Sequence, residues 1–196
     1  PELALTYYRA AGFPVQSVYE YLMTVLNSNF EDWRRANPDA PVDSFKFSYK
    51  KMNPAGSLFD EAKLRDVSKN VISRMSAEEV TSLVTAWAKE YDPAFGEQLA
   101  KDPAFTTAIF AIGRGGKKPR KDFACWSEVK DFVSYYYDSL FTIEEAFPEN
   151  VSADERKTLL TEYAAMYDEN DDNNGWFEKI KELSEKYGYT SDMKAY

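Results

Sequence analysis

Apolar residues recur at spacings of three and four along almost the whole of this 196-residue chain, interrupted at intervals by Gly and Pro. That period puts apolar side chains on one face of a 3.6-residue helix, whereas the two-residue alternation of a half-buried strand is hardly sustained anywhere. The pattern predicts an all-α protein, a helical bundle of two to three subdomains. Glu2 to Ala11 reads as a short helix stopped at Gly12-Phe13-Pro14. The next helix runs from Pro14 to about Asn29, with Val15, Val18, Leu22, Val25 and Leu26 expected on its buried stripe. From Phe30 to Ser57 the prolines at 38, 41 and 54 break the pattern, and Phe45, Phe47 and Tyr49 alternate as a short strand would, so loop with one short element is expected.

Helical signals return at Asp60, with Leu64, Val67, Val71 and Met75 in register. Ser76-Ala77-Glu78-Glu79 has the form of a capping box, in which the Ser and Glu side chains satisfy free N–H groups at a helix start. Its helix carries Val80, Leu83, Val84, Trp87 and Tyr91 and stops at Asp92-Pro93. Asp102-Pro103 opens another with Phe105, Ile109 and Ile112 facing inward, since proline in the first turn gives up no helical hydrogen bond. Trp126, Val129, Val133, Tyr136 and Leu140 predict one amphipathic helix, and Ser152 caps one bearing Leu159, Leu160, Tyr163, Met166 and Tyr167. The last helix begins near Trp176 and ends near Gly188. Subdomain limits are expected at residues 1–75, 76–148 and 149–196.

Charge narrows the function classes. The formal net charge is -9, with no histidine, so the commonest general base and transition-metal ligand are both missing. A general nucleic-acid binder would be basic over the whole domain. Here charge is segregated: Glu144 to Tyr196 holds 14 acidic and 6 basic residues, while Gly113 to Lys121 holds Arg114, Lys117, Lys118, Arg120 and Lys121 with no acid. The lone Cys125, between Ala124 and Trp126, reads as a small apolar helix residue. No apolar stretch approaches the roughly 20 residues of a membrane span and no signal peptide opens the chain, so no membrane partner and a cytoplasmic location are expected. A start at Pro1 and a stop at Lys194-Ala195-Tyr196 suggest a piece of something larger.

Several short motifs invite chemistry. Gly113-Arg114-Gly115-Gly116-Lys117-Lys118 has the glycines and lysine of a phosphate loop, but Ala111 stands where the first glycine belongs and Lys118 where the Mg²⁺-binding hydroxyl belongs. As a nucleic-acid patch the segment is better: its cations can neutralise phosphates, and Arg120 can read a base edge through its planar fork. A solvated loop that balances nearby acidic helices is the plainer alternative. The run Asp168 to Gly175 resembles a calcium loop, but Lys181 would fall where a bidentate Glu is needed, leaving an inter-helix turn whose Asn and Asp side chains cap the next helix. Lys51-Met52-Asn53-Pro54-Ala55 resembles the start of the ATP-holding Lys-Met-Ser-Lys-Ser signature of class I aminoacyl-tRNA synthetases, without its second lysine. Tyr135-Tyr136-Tyr137 could stack unpaired bases, although Tyr136 shares the core spacing. Asn150-Val151-Ser152 is a glycosylation sequon in form only.

Taken in order, four stretches resemble bacterial glutamyl-tRNA synthetases. Leu5-Thr6-Tyr7-Tyr8 through Gly12-Phe13-Pro14 and Tyr21-Leu22 is similar to the segment that follows the family's ATP-signature loop. Ser57-Leu58-Phe59-Asp60-Glu61-Ala62-Lys63-Leu64 resembles its helix-opening Phe-Asp-x-x-Lys-Leu motif. Lys118-Pro119-Arg120-Lys121-Asp122-Phe123 with Trp126-Ser127-Glu128-Val129, and then Trp176-Phe177-Glu178-Lys179-Ile180-Lys181, resemble its helical anticodon-binding region. The resemblance implies a stem-contact region at 1–75, a helical anticodon-binding region at 76–148 and the truncated start of a terminal anticodon-binding subdomain at 149–196. It implies a glutamate-accepting tRNA as partner, together with the missing catalytic domain of the same chain, and a monomer. The parent would use ATP and Mg²⁺; this stretch is expected to hold no cofactor or metal, to lack the catalytic site and to be inactive alone. The family's anticodon-discriminating arginine has its nearest match in Arg120, with Lys117, Lys118 and Lys121 on phosphate. A helical protein-interaction module with no nucleic-acid role is the rival class.

Overall fold

The computed structural model describes residues 4–52, 56, 58–143, 146–147 and 151–189. The Asn53-Pro54-Ala55 part of the ATP-loop-like run, Ser57, the sequon's Asn150, most of the expected boundary at 148–151 and the Lys194-Ala195-Tyr196 stop lie outside the described residues. Among the described residues there are ten α-helices and no strand, so the class is all-α. None of these helices is long and apolar enough to cross a membrane. The chain divides into two compact units, Pro1–Thr142 and Ile143–Tyr196.

The first unit opens with α1 (Leu5–Ala11), α2 (Val15–Leu26) and α3 (Phe30–Ala36). Gly12 ends α1 in the left-handed region at φ 83°, its N–H bonded to the Arg9 and Tyr8 carbonyls, which a side chain at this site would disfavour. The expected loop from Phe30 onward is helical in its first part, followed by two short 3-10 turns at Val42–Ser44 and Tyr49–Lys51 where a strand-like element was expected. Helix α2 also turns differently from its apolar stripe. Val15 and Leu22 are exposed, and Ser17, Glu20 and Tyr21 are buried instead. The reason is a polar anchor: Glu20 Oε1 accepts from Arg34 Nη2 and Arg74 Nη2, both at 2.8 Å. A buried carboxylate between two guanidinium groups satisfies the rule that interior charges are paired.

Asp60 caps α4 (Glu61–Arg74), accepting from the Lys63 N–H. Both bonds of the capping box form at Ser76, which starts α5 (Ala77–Tyr91). Asp92-Pro93 and Asp102-Pro103 then do the same job twice, each Asp accepting from the N–H three residues on, to start α6 (Pro93–Lys101) and α7 (Pro103–Ala111). Sequence periodicity had pointed only to the second of these.

Two cores form within this unit. Tyr8, Phe13, Tyr21, Leu64, Ala124 and Cys125 make one. Val80, Val84, Phe95, Leu99, Phe110, Phe123, Trp126 and Val129 lead the other, centred on α5. Each Val, Leu or Phe side chain among them, removed from water, contributes about 1.5–3 kcal/mol. The chain from 123 to 126 threads between them: Ser68 Oγ donates to the Ala124 carbonyl at 2.6 Å, and the Trp126 N–H donates to Gly12 at 3.0 Å. Residue 76, where a division was expected, lies inside the first unit, and Ile72 before it shares one core with Ala77 and Val80 after it.

The expected amphipathic helix at 126–140 is instead a series of short pieces: a 3-10 turn at Trp126–Glu128, α8 (Val129–Val133) and another 3-10 turn at Ser134–Tyr136. Its β-branched and aromatic run is a poor helix former, and Tyr137 is drawn into the core, its hydroxyl 2.9 Å from Thr106 Oγ1. Cys125 is buried in extended backbone before the first turn rather than on a helix.

The second unit pairs α9 (Ala153–Met166) with α10 (Asn173–Lys186). Ser152 and Asp172 cap them, so α10 starts three residues before Trp176, and the acidic run does serve as a capped turn, with Asp168 Oδ1 accepting from the Asn170 N–H. Surface bonds link the helices, among them Lys186 and Tyr187 to Glu162, both at 2.7 Å.

Candidate nucleic-acid interface

Helix α7 releases the chain at Ala111 into a loop that returns on itself. Gly113 adopts φ 67°, and the Arg120 N–H donates to the Gly113 carbonyl at 3.0 Å, closing the loop at its base. The positive φ favours glycine there, and a Cβ would stand 2.5 Å from Arg120 Cδ, so that the arginine side chain would have to swing away. The two ends of the basic segment are thereby held together, and Lys117 and Lys118 are carried outward between them.

The five cations separate into two kinds. Arg114 turns inward: Nε donates to the Phe110 carbonyl at 2.9 Å, and Nη1 donates to Ile72 at 2.6 Å and Met75 at 3.1 Å. It sits at the C-terminal end of α4, where carbonyls lack helical partners and the helix dipole favours a cation. Burial pushes its pKa down, against the opposing charge of Asp122. Lys117, Lys118 and Lys121 are exposed and, among the described residues, form no ion pair. Arg120 is half exposed and holds Asp122 through Nε at 2.8 Å.

Beside Arg120 opens a hollow of about 280 Å³, lined by Asp122, Asp131, Tyr135 and Tyr136 as well as apolar side chains from α7 and α8. The rings of Tyr135 and Tyr136 lie 4.2 Å apart at 35°. Burial, a hydrogen bond with Tyr135 and the charge of Tyr135 push the Tyr136 hydroxyl up to about 12, with Arg120 acting the other way. The tyrosine stripe is thus divided by the fold: Tyr135 is exposed, Tyr136 lies at the hollow and Tyr137 belongs to the core. Asp122 and Asp131 are the members of this hollow that the sequence did not single out; Asp122, directly after Lys121, was visible only as part of a motif. Arg114 and Arg120 both reach this hollow, Lys117 lines a separate concavity with Arg74, and Lys118 and Lys121 stand apart from both.

Chemically, the hollow offers a guanidinium donor, two carboxylate acceptors and an aromatic face, the complement of a flat, polar-edged ring. The exposed lysines beside it offer charge without orientation, which suits phosphate. No group of three Asp, Glu or Cys side chains that could hold a metal ion occurs among the described residues.

No family model matches the chain, and no solved structure matches it. Curated relatives do. The glutamate–tRNA ligase of Acetivibrio thermocellus is 43% identical over 196 residues, which are 100% of this chain and 36% of the relative. That of Clostridium perfringens is 42% identical over 200 residues, covering 100% of this chain and 37% of the relative. That of Sorangium cellulosum is 39% identical over 198 residues, 100% of this chain and 35% of the relative. The chain spans little more than a third of the length of these relatives. The chain is therefore homologous from end to end with one region of the glutamate–tRNA ligases.

Proposed function

We propose that this chain is the tRNA-binding part of a glutamate–tRNA ligase, lying downstream of the catalytic domain, and that the loop after α7 contacts the anticodon arm. The observation that carries this reading is the end-to-end homology at 43% identity to a protein that joins glutamate to tRNA. The site adds physical support. Lys117, Lys118 and Lys121 contact phosphates, Arg120 donates to a base edge at the mouth of the hollow, and Arg114 acts from behind by fixing the loop. The acidic balance of the whole chain is compatible with this, because an RNA ligand needs one basic surface and not a basic molecule. Glutamate activation with ATP and Mg²⁺ belongs, in this reading, to the remaining two-thirds of the ligase.

The test is a titration against glutamate-accepting tRNA at low and moderate salt, for the wild type and for Arg120→Ala/Lys121→Ala. Saturable binding that weakens with salt and drops in the variant is expected, each lost phosphate contact flattening the plot of log K against log salt by about 0.7 to 0.9. Absence of binding at low salt would overturn the proposal.

A second reading, a helical protein-interaction module, has one observation in its favour. An apolar hollow of about 900 Å³ lies where α1 and α2 meet α5, with Leu5, Val15, Tyr19, Leu22 and Leu83 exposed at it. Failure to bind tRNA, combined with loss of a protein partner on Leu22→Asp/Leu83→Asp, would favour that class.

A further inference from the structure

We infer that Glu20 is a positioning residue for the basic loop after α7: through Arg74 it fixes the last turn of α4, and that turn is the seat on which Arg114 holds the loop. The inference concerns how the first unit is built and stands apart from the tRNA reading.

The relay runs through named bonds. Buried Glu20 of α2 accepts through Oε1 from Arg34 Nη2 on α3 and from Arg74 Nη2 on α4. Each arginine then governs a loop. Arg34 Nη1 donates to the carbonyls of Asn37, Pro38 and Ala40 at 3.0, 3.3 and 2.6 Å, gathering the chain that leaves α3. Arg74 stands between Ile72 and Met75, whose carbonyls both receive Arg114 Nη1. The Ile72 carbonyl also accepts the Met75 N–H, at 3.1 Å, where α4 ends. A carbonyl at the close of α4 is therefore the seat of Arg114, and its direction follows the position of that helix end.

Both loops line one concavity of about 760 Å³, Pro38 and Asp39 from the first, Gly115, Gly116 and Lys117 from the second. The bond from the Arg120 N–H to the Gly113 carbonyl closes the basic loop on itself, whereas the Arg114 Nη1 bonds tie it to α4. Charge makes the arrangement a single device. Two guanidinium groups meet at one oxygen because a carboxylate stands between them, and without it they repel each other in a site poor in water. As they separate, α3 and the end of α4 part, and the carbonyls under both loops move with them. Two walls of one concavity thus take their position from a single buried side chain.

The experiment is hydrogen exchange of the loop amides, read at the Arg120 N–H, on the whole chain without ligand, for wild type, Glu20→Gln, Arg74→Met and Leu64→Ala. Leu64 is a buried α4 side chain outside the relay, so its variant controls for a general loss of stability, which urea unfolding measures in each protein. The Arg120 amide is expected to exchange about two- to tenfold faster in Glu20→Gln and Arg74→Met, the range of coupling between residues of one network, and at the wild-type rate in Leu64→Ala. Adding Arg74→Met to Arg114→Lys, where the loop is already loosened, is expected to change the rate by less than about twofold. If Glu20→Gln does not fold, Arg74→Met decides, because that side chain is 23% exposed and the buried carboxylate keeps Arg34. An unchanged rate in Arg74→Met, or the same rise in Leu64→Ala, would overturn the inference. So would full additivity with Arg114→Lys, since the effect would then reach the loop by another route. Failure of the chain to bind tRNA would leave the result untouched.

Discussion

Arg114 Nη1 hydrogen-bonds the carbonyl of Ile72 at 2.6 Å, joining the basic loop to the end of α4 across 42 residues of sequence. With the bonds to Met75 and Phe110, one guanidinium satisfies three carbonyls. A lysine cannot reproduce that fork. Arg114→Lys is expected to lower stability by about 1–3 kcal/mol, in line with hydrogen bonds from a charged donor, and to weaken tRNA binding indirectly by loosening the loop. Urea denaturation of the variant checks the first effect; a midpoint equal to wild type would show that the three bonds contribute nothing.

Glu20 faces Arg34 and Arg74 and is 2% exposed. Replacing it with Ala leaves two guanidinium groups facing each other without their counter-charge, one of which, Arg34, already has a buried Nε with no partner. The expected loss is about 3–5 kcal/mol. Measurement of the unfolding midpoint decides, and a loss below about 1 kcal/mol would mean that water replaces the carboxylate readily.

Two glycines with similar backbone angles should respond very differently to alanine. Gly12 at φ 83° would place a Cβ 2.7 Å from Trp126 Cβ, whereas Gly115 at φ 78° has nothing within 4 Å. Gly115→Ala is expected to cost only the left-handed backbone penalty of about 1–2 kcal/mol. Gly12→Ala adds a collision with a core tryptophan and should lower the melting temperature substantially more. Equal shifts in the two variants would rule out the close contact.

Lys130 hydrogen-bonds Asp92 at 2.8 Å, and with the Phe95 N–H it holds the Asp92 carboxyl below its ordinary value against the opposing effect of burial. A carboxylate whose pKa is lower folded than unfolded stabilises the fold above the unfolded value of about 3.9. That stabilisation is lost as pH falls through the folded value. Stability is therefore expected to decline as pH drops below about 4, and to decline less steeply in Asp92→Asn, which retains a capping acceptor. Urea midpoints taken between neutral and acidic pH test the difference; parallel curves for the two proteins would remove Asp92 from the account.

Much of the architecture was legible because local chemistry announces it. Gly12, the Ser76 box and the Asp102-Pro103 start each depend on contacts within four residues, and each stands where the pattern put it. The failures have distant causes. Val15 and Leu22 satisfy the apolar stripe of α2, but the helix is rotated so that Glu20 meets arginines 14 and 54 residues away. Trp126 to Leu140 has a good helical period, and it breaks because Tyr137 bonds Thr106 from another helix. At the candidate site, the cluster of cations was visible as composition, but the division between an inward Arg114 and outward lysines depends on where α4 ends in space. The turn at Tyr49–Lys51 was legible only as irregular chain, because the prolines at 38, 41 and 54 break the helical pattern around it.

The helical hairpin of the second unit seals none of its described side chains from water, although Leu160, Tyr167, Trp176 and Phe177 are all carried on or beside it. Two helices of 14 residues joined through tyrosine hydroxyls and lysine–carboxylate bonds occupy a shallow energy basin. Their amide protons should exchange with solvent far sooner than those of α5, and any surface that covers the aromatic side chains would act on this hairpin as a switch from breathing to rigid.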